Sequence, residues 1–370
     1  MNSKSQSGTI WDDVLDREQL RRHKVARWEL LRKGTEIEKL DAGLFANDTV
    51  CESSEANQLA VHSRQVSENY GLSSAQTCWH ISDRIESTDG KSIKLRLESQ
   101  EGDACECVVL LPRSYRATVC VSSQIGCAVG CVFCATGQMG LRRNLTTPEI
   151  VEQLYYARQM AFQTDRHLRN VVFMGMGEPL HNFDVVLDTL DWISSVNGFG
   201  MSLRHVSVST IGIPSKMLEL GRQFPLVRIA LSLHSVFPEV RKKLVPRSTA
   251  DLDVLRETIV ELNRMMPTHP LWLEYVLLKG INDSDEDASG LIEFCKGLDV
   301  EINVIPYNEI SLPSPIQPNG QLRILPILGS GIEIQEQFVQ RLRAAGIFTT
   351  LRKSLGQSIA AACGQLVVNA

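Results

Sequence analysis

The 370-residue sequence has no run of 18 or more apolar residues, which excludes a membrane span of the helical, hydropathic kind. Its first residues, MNSKSQSGTIWDD, contain no apolar core, so secretion is not expected. No short internal repeat or low-complexity segment stands out, which sets aside repeat architectures. Positive charge is not in excess. There are 38 Lys and Arg against 43 Asp and Glu, a net of −5, so any nucleic-acid contact has to come from local patches. Cysteine, in contrast, is plentiful. Ten cysteines in a chain expected to be cytosolic point away from a disulfide framework and toward metal or redox chemistry. With 43% apolar and 22% charged residues the chain can bury a sizeable core, and its length suits roughly two to three domain equivalents or one large barrel.

The first third of the chain carries few structural signals. Residues 16–33, DREQLRRHKVARWELLRK, form a basic stretch of helical pattern whose simplest role is a solvated helix face. KSIKLRLES (91–99) alternates with period two, and CECVVLLP (105–112) follows it, as in a hairpin. From residue 120 the pattern changes to short β-branched runs alternating with amphipathic stretches. The strand candidates are 170–179, 205–210, 227–234, 271–280 and 302–308. The helix candidates include 148–162, with a capping-box signature in Thr146 and Glu149, and 251–266. This alternation predicts βα units around a parallel sheet, closed or partly closed, with chemistry at the C-terminal ends of its strands.

The stretch CVSSQIGCAVGCVFCATGQMG (120–140) concentrates the chemistry. Cys127, Cys131 and Cys134 are spaced C-x3-C-x2-C. Three thiolates on one loop can each bind one iron of a cubane and leave the fourth iron open for catalysis. A zinc site completed from elsewhere, or three unrelated buried thiols, fits the same spacing. Gly126 and Gly130 suit a tight loop around such a group or any other sharp turn.

Several motifs in order narrow the reading. RATVCVSSQIGCAVGCVFCATGQMGLRRNLT, FMGMGEPL, SVSTIG, LSLHS, VIPYN and SIAAACGQL together resemble the RlmN/Cfr family of radical S-adenosylmethionine (SAM) RNA adenine methyltransferases, across roughly residues 115–366. The resemblance implies an α/β fold, a radical SAM partial (β/α)6 barrel with a small N-terminal α+β region. We expect an N-terminal accessory region over 1–90, a candidate for RNA contact, a strand or hairpin extension over 91–119, the barrel over 120–350 and a C-terminal segment over 351–370.

Residue by residue, the resemblance implies that Cys127, Cys131 and Cys134 hold one 4Fe-4S cluster. It implies SAM contacts at Gly177 and Glu178, at Ser209, at Ser232, Leu233 and His234, and at Asn308. It makes Cys363 the carrier of an S-methyl group and Cys120 the resolving thiol, which forms a transient Cys120–Cys363 disulfide. Two SAM molecules would be used per turnover, one to methylate Cys363 and one to supply the radical. Such a route suits adenine C2, which is not nucleophilic. The family's general base corresponds to Glu106. It lies fourteen residues before Cys120, one more than expected, and Cys107 falls at the expected offset. Ser358 stands where the family usually has aspartate.

The expected activity is methylation of an adenine ring carbon, C2 before C8, in 23S ribosomal RNA, with transfer RNA as a further substrate. The alternatives are a C8-methylating Cfr-like enzyme and a catalytically inactive iron–sulfur RNA-binding paralogue. A flavodoxin or ferredoxin as electron donor, a monomeric state, a cytoplasmic location and no membrane association complete the expectation. Arg113, Arg116, Arg142 and Arg143 flank the cysteine loop and are expected to meet phosphate.

Overall fold

The computed structural model describes residues 78–112, 114–196, 198–248, 250–266, 269–310 and 327–368. The basic stretch 16–33, Cys51 and Arg113 lie outside them.

The described chain opens with an antiparallel meander, β1 (His80–Glu86), β2 (Ser92–Glu98) and β3 (Ala104–Leu110), which pairs with β4 (Arg116–Cys120). From β4 the sheet runs parallel through β7 (His167–Phe173), β8 (Val206–Thr210), β9 (Arg228–Ser232), β10 (Leu271–Leu277), β11 (Val300–Pro306) and β12 (Thr349–Leu351). The crossovers carry α2 (Thr147–Gln163), α3 (Phe183–Ser194), α4 (Pro214–Gln223), α5 (Pro238–Leu244), α6 (Leu252–Met265), α7 (Asp285–Cys295) and α8 (Ile332–Ala344). Seven parallel strands joined by helical crossovers, with the hairpin on one edge, make the expected partial α/β barrel. Between β4 and α2 lie the short helix α1 (Ala135–Met139) and a two-stranded ribbon of β5 (Gln124–Gly126) and β6 (Leu141–Asn144).

Local sequence explains these elements. In β2, Ile93, Leu95 and Leu97 are fully buried while Lys94 and Arg96 alternate onto the other face. The central parallel strands β10 (LWLEYVL) and β11 (VEINVIP) are mostly apolar because helices cover one face and the barrel interior the other. Helix α2 starts as predicted: Glu149 accepts from the Thr146 backbone N–H at 2.7 Å, and Pro148 lies in the first turn.

Two expected elements differ. The strand expected over 170–179 stops at Phe173, because Gly175 and Gly177 open the chain into a loop. A Cβ on Gly177, whose φ is +103°, would meet Gln124 at 2.6 Å. The apolar stretch IAAACGQLVV (359–368) around Cys363 has a helical pattern in sequence and is mostly irregular, with one 3-10 turn over Gln357–Ile359. Gly356 and Gly364 take φ of +79° and +82°, and the backbone groups there bond to other segments of the protein.

Candidate active site

The C-terminal ends of the parallel strands converge on the cysteine loop. Backbone N–H groups of Val129 and Gly130 point at Cys127, and those of Thr136 and Gly137 point at Cys134, with the Thr136 hydroxyl. Oriented backbone donors of this kind form an anion nest suited to thiolates. Burial pushes Cys127 up to about 12 and raises Cys131 and Cys134. Cys131 is raised further by Cys134 and Cys127, so the three thiols lie within electrostatic reach of one another. Among the described residues no three donors converge as a single metal ion requires. A cubane takes one thiolate on each of three irons, and thiols that share one nested loop suit it.

The GE loop is tightly held. Gln124 Oε1 accepts from Glu178 N at 2.8 Å, and Gln124 Nε2 donates to Asn144 at 2.7 Å. The buried Glu178 carboxylate accepts from Leu180 N at 3.0 Å and from Ile211 N at 2.9 Å. Burial lifts its pKa to about 7 against those bonds and the Thr210 hydroxyl. Ser209 and Ser232 bring their hydroxyls within 3.3 Å at the ends of β8 and β9. His234 sits in the left-handed region at φ +59°. Its Nδ1 accepts from Val276 N at 3.1 Å, and its ring meets Phe133 of the cysteine loop edge-on at 4.7 Å. Burial, then Arg241, pulls its pKa down to about 3, so the imidazole is neutral.

The C-terminal segment closes over this end. Ala135 N donates to Gly364 O at 2.7 Å, and the Thr136 hydroxyl to Leu366 O at 2.6 Å. Asn308 donates to Cys363 O at 3.1 Å and accepts from Gln357 at 2.7 Å, so in this structure its amide holds the tail. Gln365 donates to Glu309 O at 2.8 Å. Cys363 is exposed, and Cys120, the last residue of β4, is half-buried; both are free thiols. Burial, then Cys363, pushes the Cys120 thiol up to about 12. Sequence reading passed over Arg352, which donates to Glu274 at 3.2 Å. Burial works against its charge, but Glu274, Cys363 and Cys120 hold its pKa above the ordinary arginine value.

The strand register separates Glu106 from Cys107. Val108 pairs with Cys120 across β3 and β4, so Glu106, two residues along, shares the face of Cys120. Cys107 points the other way, into the core toward Tyr156 of α2. Glu106 accepts from Val367 N at 2.9 Å and pairs with Lys94 at 3.1 Å. Burial lifts its carboxyl above the usual range, and Lys94 works against this. Cys105 and Cys295 are buried and Cys78 is half-buried; none of the three belongs to the site.

The arginines beside the loop are not free. Arg143 pairs with Asp103 at 2.5 Å and with Glu149 at 2.8 Å, and Arg142 with Asp103 at 2.7 Å. Burial of both carboxylates explains the pairing. Unpaired cations lie at the opposite, N-terminal rim of the strands. Arg116, Arg169 and Arg204 are exposed there without an ion pair among the described residues. The first two lie close enough to His205 to add to the effect of burial in lowering its pKa.

Comparison with known proteins agrees with this geometry. The radical SAM superfamily model matches residues 121–292. A probable RNA methyltransferase of Rhodopirellula baltica is 41% identical over 77% of this chain and 72% of its own. The dual-specificity RNA methyltransferase RlmN of Solidesulfovibrio magneticus is 38% identical over 79% and 80%. The crystal structure of a radical SAM methyltransferase from Sphaerobacter thermophilus superposes with a TM-score of 0.72 at 35% identity, covering 83% of this chain and 85% of that one.

Proposed function

This chain belongs to the RlmN-type radical SAM RNA methyltransferases, and on that premise we propose that it methylates C2 of an adenine in ribosomal RNA, and in transfer RNA, through an S-methyl group on Cys363. The observation that carries the reading is the tail's position. It brings Cys363 beside the cysteine loop and within electrostatic reach of Cys120.

In this reading Cys127, Cys131 and Cys134 hold the cluster. Gly177, Glu178, Ser209, Ser232, Leu233, His234 and Asn308 line the SAM site, with Glu178 taking the SAM ammonium. When bound, the cluster and two SAM molecules would supply the methyl group that Cys363 carries and the radical that draws a hydrogen atom from it. The chain's own residues do the rest. The carbon of that methyl group bonds to the ring carbon, Glu106 takes the ring carbon's proton, a role that its raised pKa suits, and the unpaired electron left on the ring would return to the cluster. The Cys120 thiolate then bonds to the sulfur of Cys363, and the bond from that sulfur to the methylene breaks. Its electron pair stays on the carbon, which takes a proton and becomes the methyl group. The two thiols remain as a disulfide, which a dithiol reductant reopens.

We take a flavodoxin or ferredoxin as the electron donor, a monomer as the working unit and the cytoplasm as the location. Among the described residues no helix is long and apolar enough to cross a membrane.

The test is anaerobic reconstitution with iron and sulfide, then reaction with reductant, SAM bearing a deuterated methyl group, and ribosomal or transfer RNA. Nucleoside mass spectrometry should find labelled 2-methyladenosine. Labelled 8-methyladenosine, or no methylated adenosine from a loaded enzyme that cleaves SAM, would contradict the proposal.

A further inference from the structure

Arg241, on α5, is the one arginine among the described residues that is buried to 4% exposure. A buried guanidinium is normally matched by a carboxylate, since its desolvation costs several kcal/mol. Among the described residues no acidic side chain pairs with Arg241. Its donors go to neutral oxygens. Nε donates to Leu233 O at 3.2 Å, one terminal nitrogen to Ile211 O at 2.6 Å, and the other to the Ser248 hydroxyl.

The surroundings show where the missing negative charge comes from. Helix α5 packs on the cysteine loop: Val132 N donates to Leu244 O at 3.1 Å, and Leu244 and Val245 share one apolar cluster with Cys127, Cys131 and Phe133. Just beyond α5, Arg247 donates to the carbonyl of Ala128. Burial draws the pKa of Arg241 down to about 10, and Cys131 works against that, so Arg241 stays charged at neutral pH.

We propose that Arg241 is a positioning residue with two linked tasks: its charge answers the anionic, thiolate-bound cluster, and its fork aligns the SAM loops. A cubane held by three thiolates is net negative and gains a further negative charge on reduction. A fixed cation behind Cys131 favours the reduced state and so raises the reduction potential. The fork joins Ile211, whose N–H holds Glu178, to Leu233 of the SLH segment. The same side chain therefore couples cluster electrostatics to the geometry of the GE and SLH loops.

This inference rests on Cys127, Cys131 and Cys134 holding the cluster. The test compares the reconstituted wild type with Arg241→Met and Arg241→Lys. Iron content and the electron paramagnetic resonance spectrum of the reduced wild type come first, and their failure would indict the cluster reading and not Arg241. The midpoint potential is then measured by redox titration without substrate, and SAM affinity by equilibrium binding. Arg241→Met should lower the potential by at least ~59 mV, a tenfold shift of a one-electron equilibrium. Arg241→Lys keeps the charge without the fork. It should hold the potential near the wild-type value and weaken SAM binding several-fold. A wild-type potential in Arg241→Met overturns the electrostatic role. If Arg241→Met does not load iron, Arg241→Lys decides alone: a potential that falls by ~59 mV or more overturns the electrostatic role, and unchanged SAM affinity overturns the aligning role.

Discussion

Ala135 donates its backbone N–H to the carbonyl of Gly364 at 2.7 Å. Ala135 follows Cys134, and Gly364 follows Cys363, so one hydrogen bond ties the cysteine loop to the segment that carries the exposed thiol. Thr136 and Asn308 add bonds on either side of it. Burial of Ala361, Leu366 and Val368 in the core anchors the tail on both sides of Cys363, which itself stays exposed. The polar bonds add about 1 kcal/mol each.

The tail bonds predict separable defects. Gln365→Ala removes the bond to Glu309 O and the one that Ala362 N makes to Gln365. About 1 kcal/mol of lost tail docking should reduce RNA methylation roughly five-fold. Iron content and substrate-free SAM cleavage should not change. The check is a side-by-side assay of methylation, iron and 5′-deoxyadenosine.

Glu106 and Lys94 predict a pH signature. A base is active when ionised, so methylation should rise with pH through the pKa of Glu106, above the ordinary carboxylate range. Lys94 lowers that pKa from 3.1 Å away, so Lys94→Met should raise it. The acidic limb of the pH–rate profile should then move to higher pH, while Glu106→Gln should lose the limb and most of the activity. An acidic limb that does not move in Lys94→Met would assign the proton transfer to another group.

Two sets of arginines should behave oppositely. Arg143→Gln leaves the buried Glu149 without its cation and Asp103 with Arg142 alone, which should cost about 2–3 kcal/mol, less than a fully buried pair because Arg143 is partly exposed. Thermal unfolding reads this, and the salt dependence of RNA binding should stay as it was. Arg116→Gln, Arg169→Gln and Arg204→Gln should leave stability alone. If the N-terminal rim meets phosphate, each should lower the slope of log affinity against log salt by roughly 0.7–0.9.

Much of the barrel could be read from the sequence because strands such as β10 and β11 are largely apolar runs and α2 opens on a capping box. The parallel strands and the Thr146–Glu149 box are local signals. The cysteine spacing is local too. What resisted reading depends on register and long-range pairing. The alignment offset favoured Cys107, and only the pairing of Val108 with Cys120 puts Glu106 on the thiol's face. Arg143 looked like a phosphate contact because its partner Asp103 lies forty residues away in sequence. Arg241 gave no signal in the sequence, since its acceptors are two backbone carbonyls and a serine hydroxyl that no side-chain pattern reveals. The tail looked helical because apolar alanines mask the two positive-φ glycines that break it.

The central claim is that Cys363 carries the methyl group and Cys120 releases the product. Cys120→Ala, reconstituted and given SAM, reductant and RNA, tests it most directly by mass spectrometry of protein digested with nuclease. Methylation of Cys363 and addition to adenine do not need Cys120, whereas release does. The account predicts a nucleotide bonded to Cys363 through a methylene bridge in Cys120→Ala, and none in the Cys120→Ala, Cys363→Ala double variant. A Cys120→Ala enzyme that turns over like wild type without any adduct, or a Cys363→Ala enzyme that still methylates RNA, would contradict it.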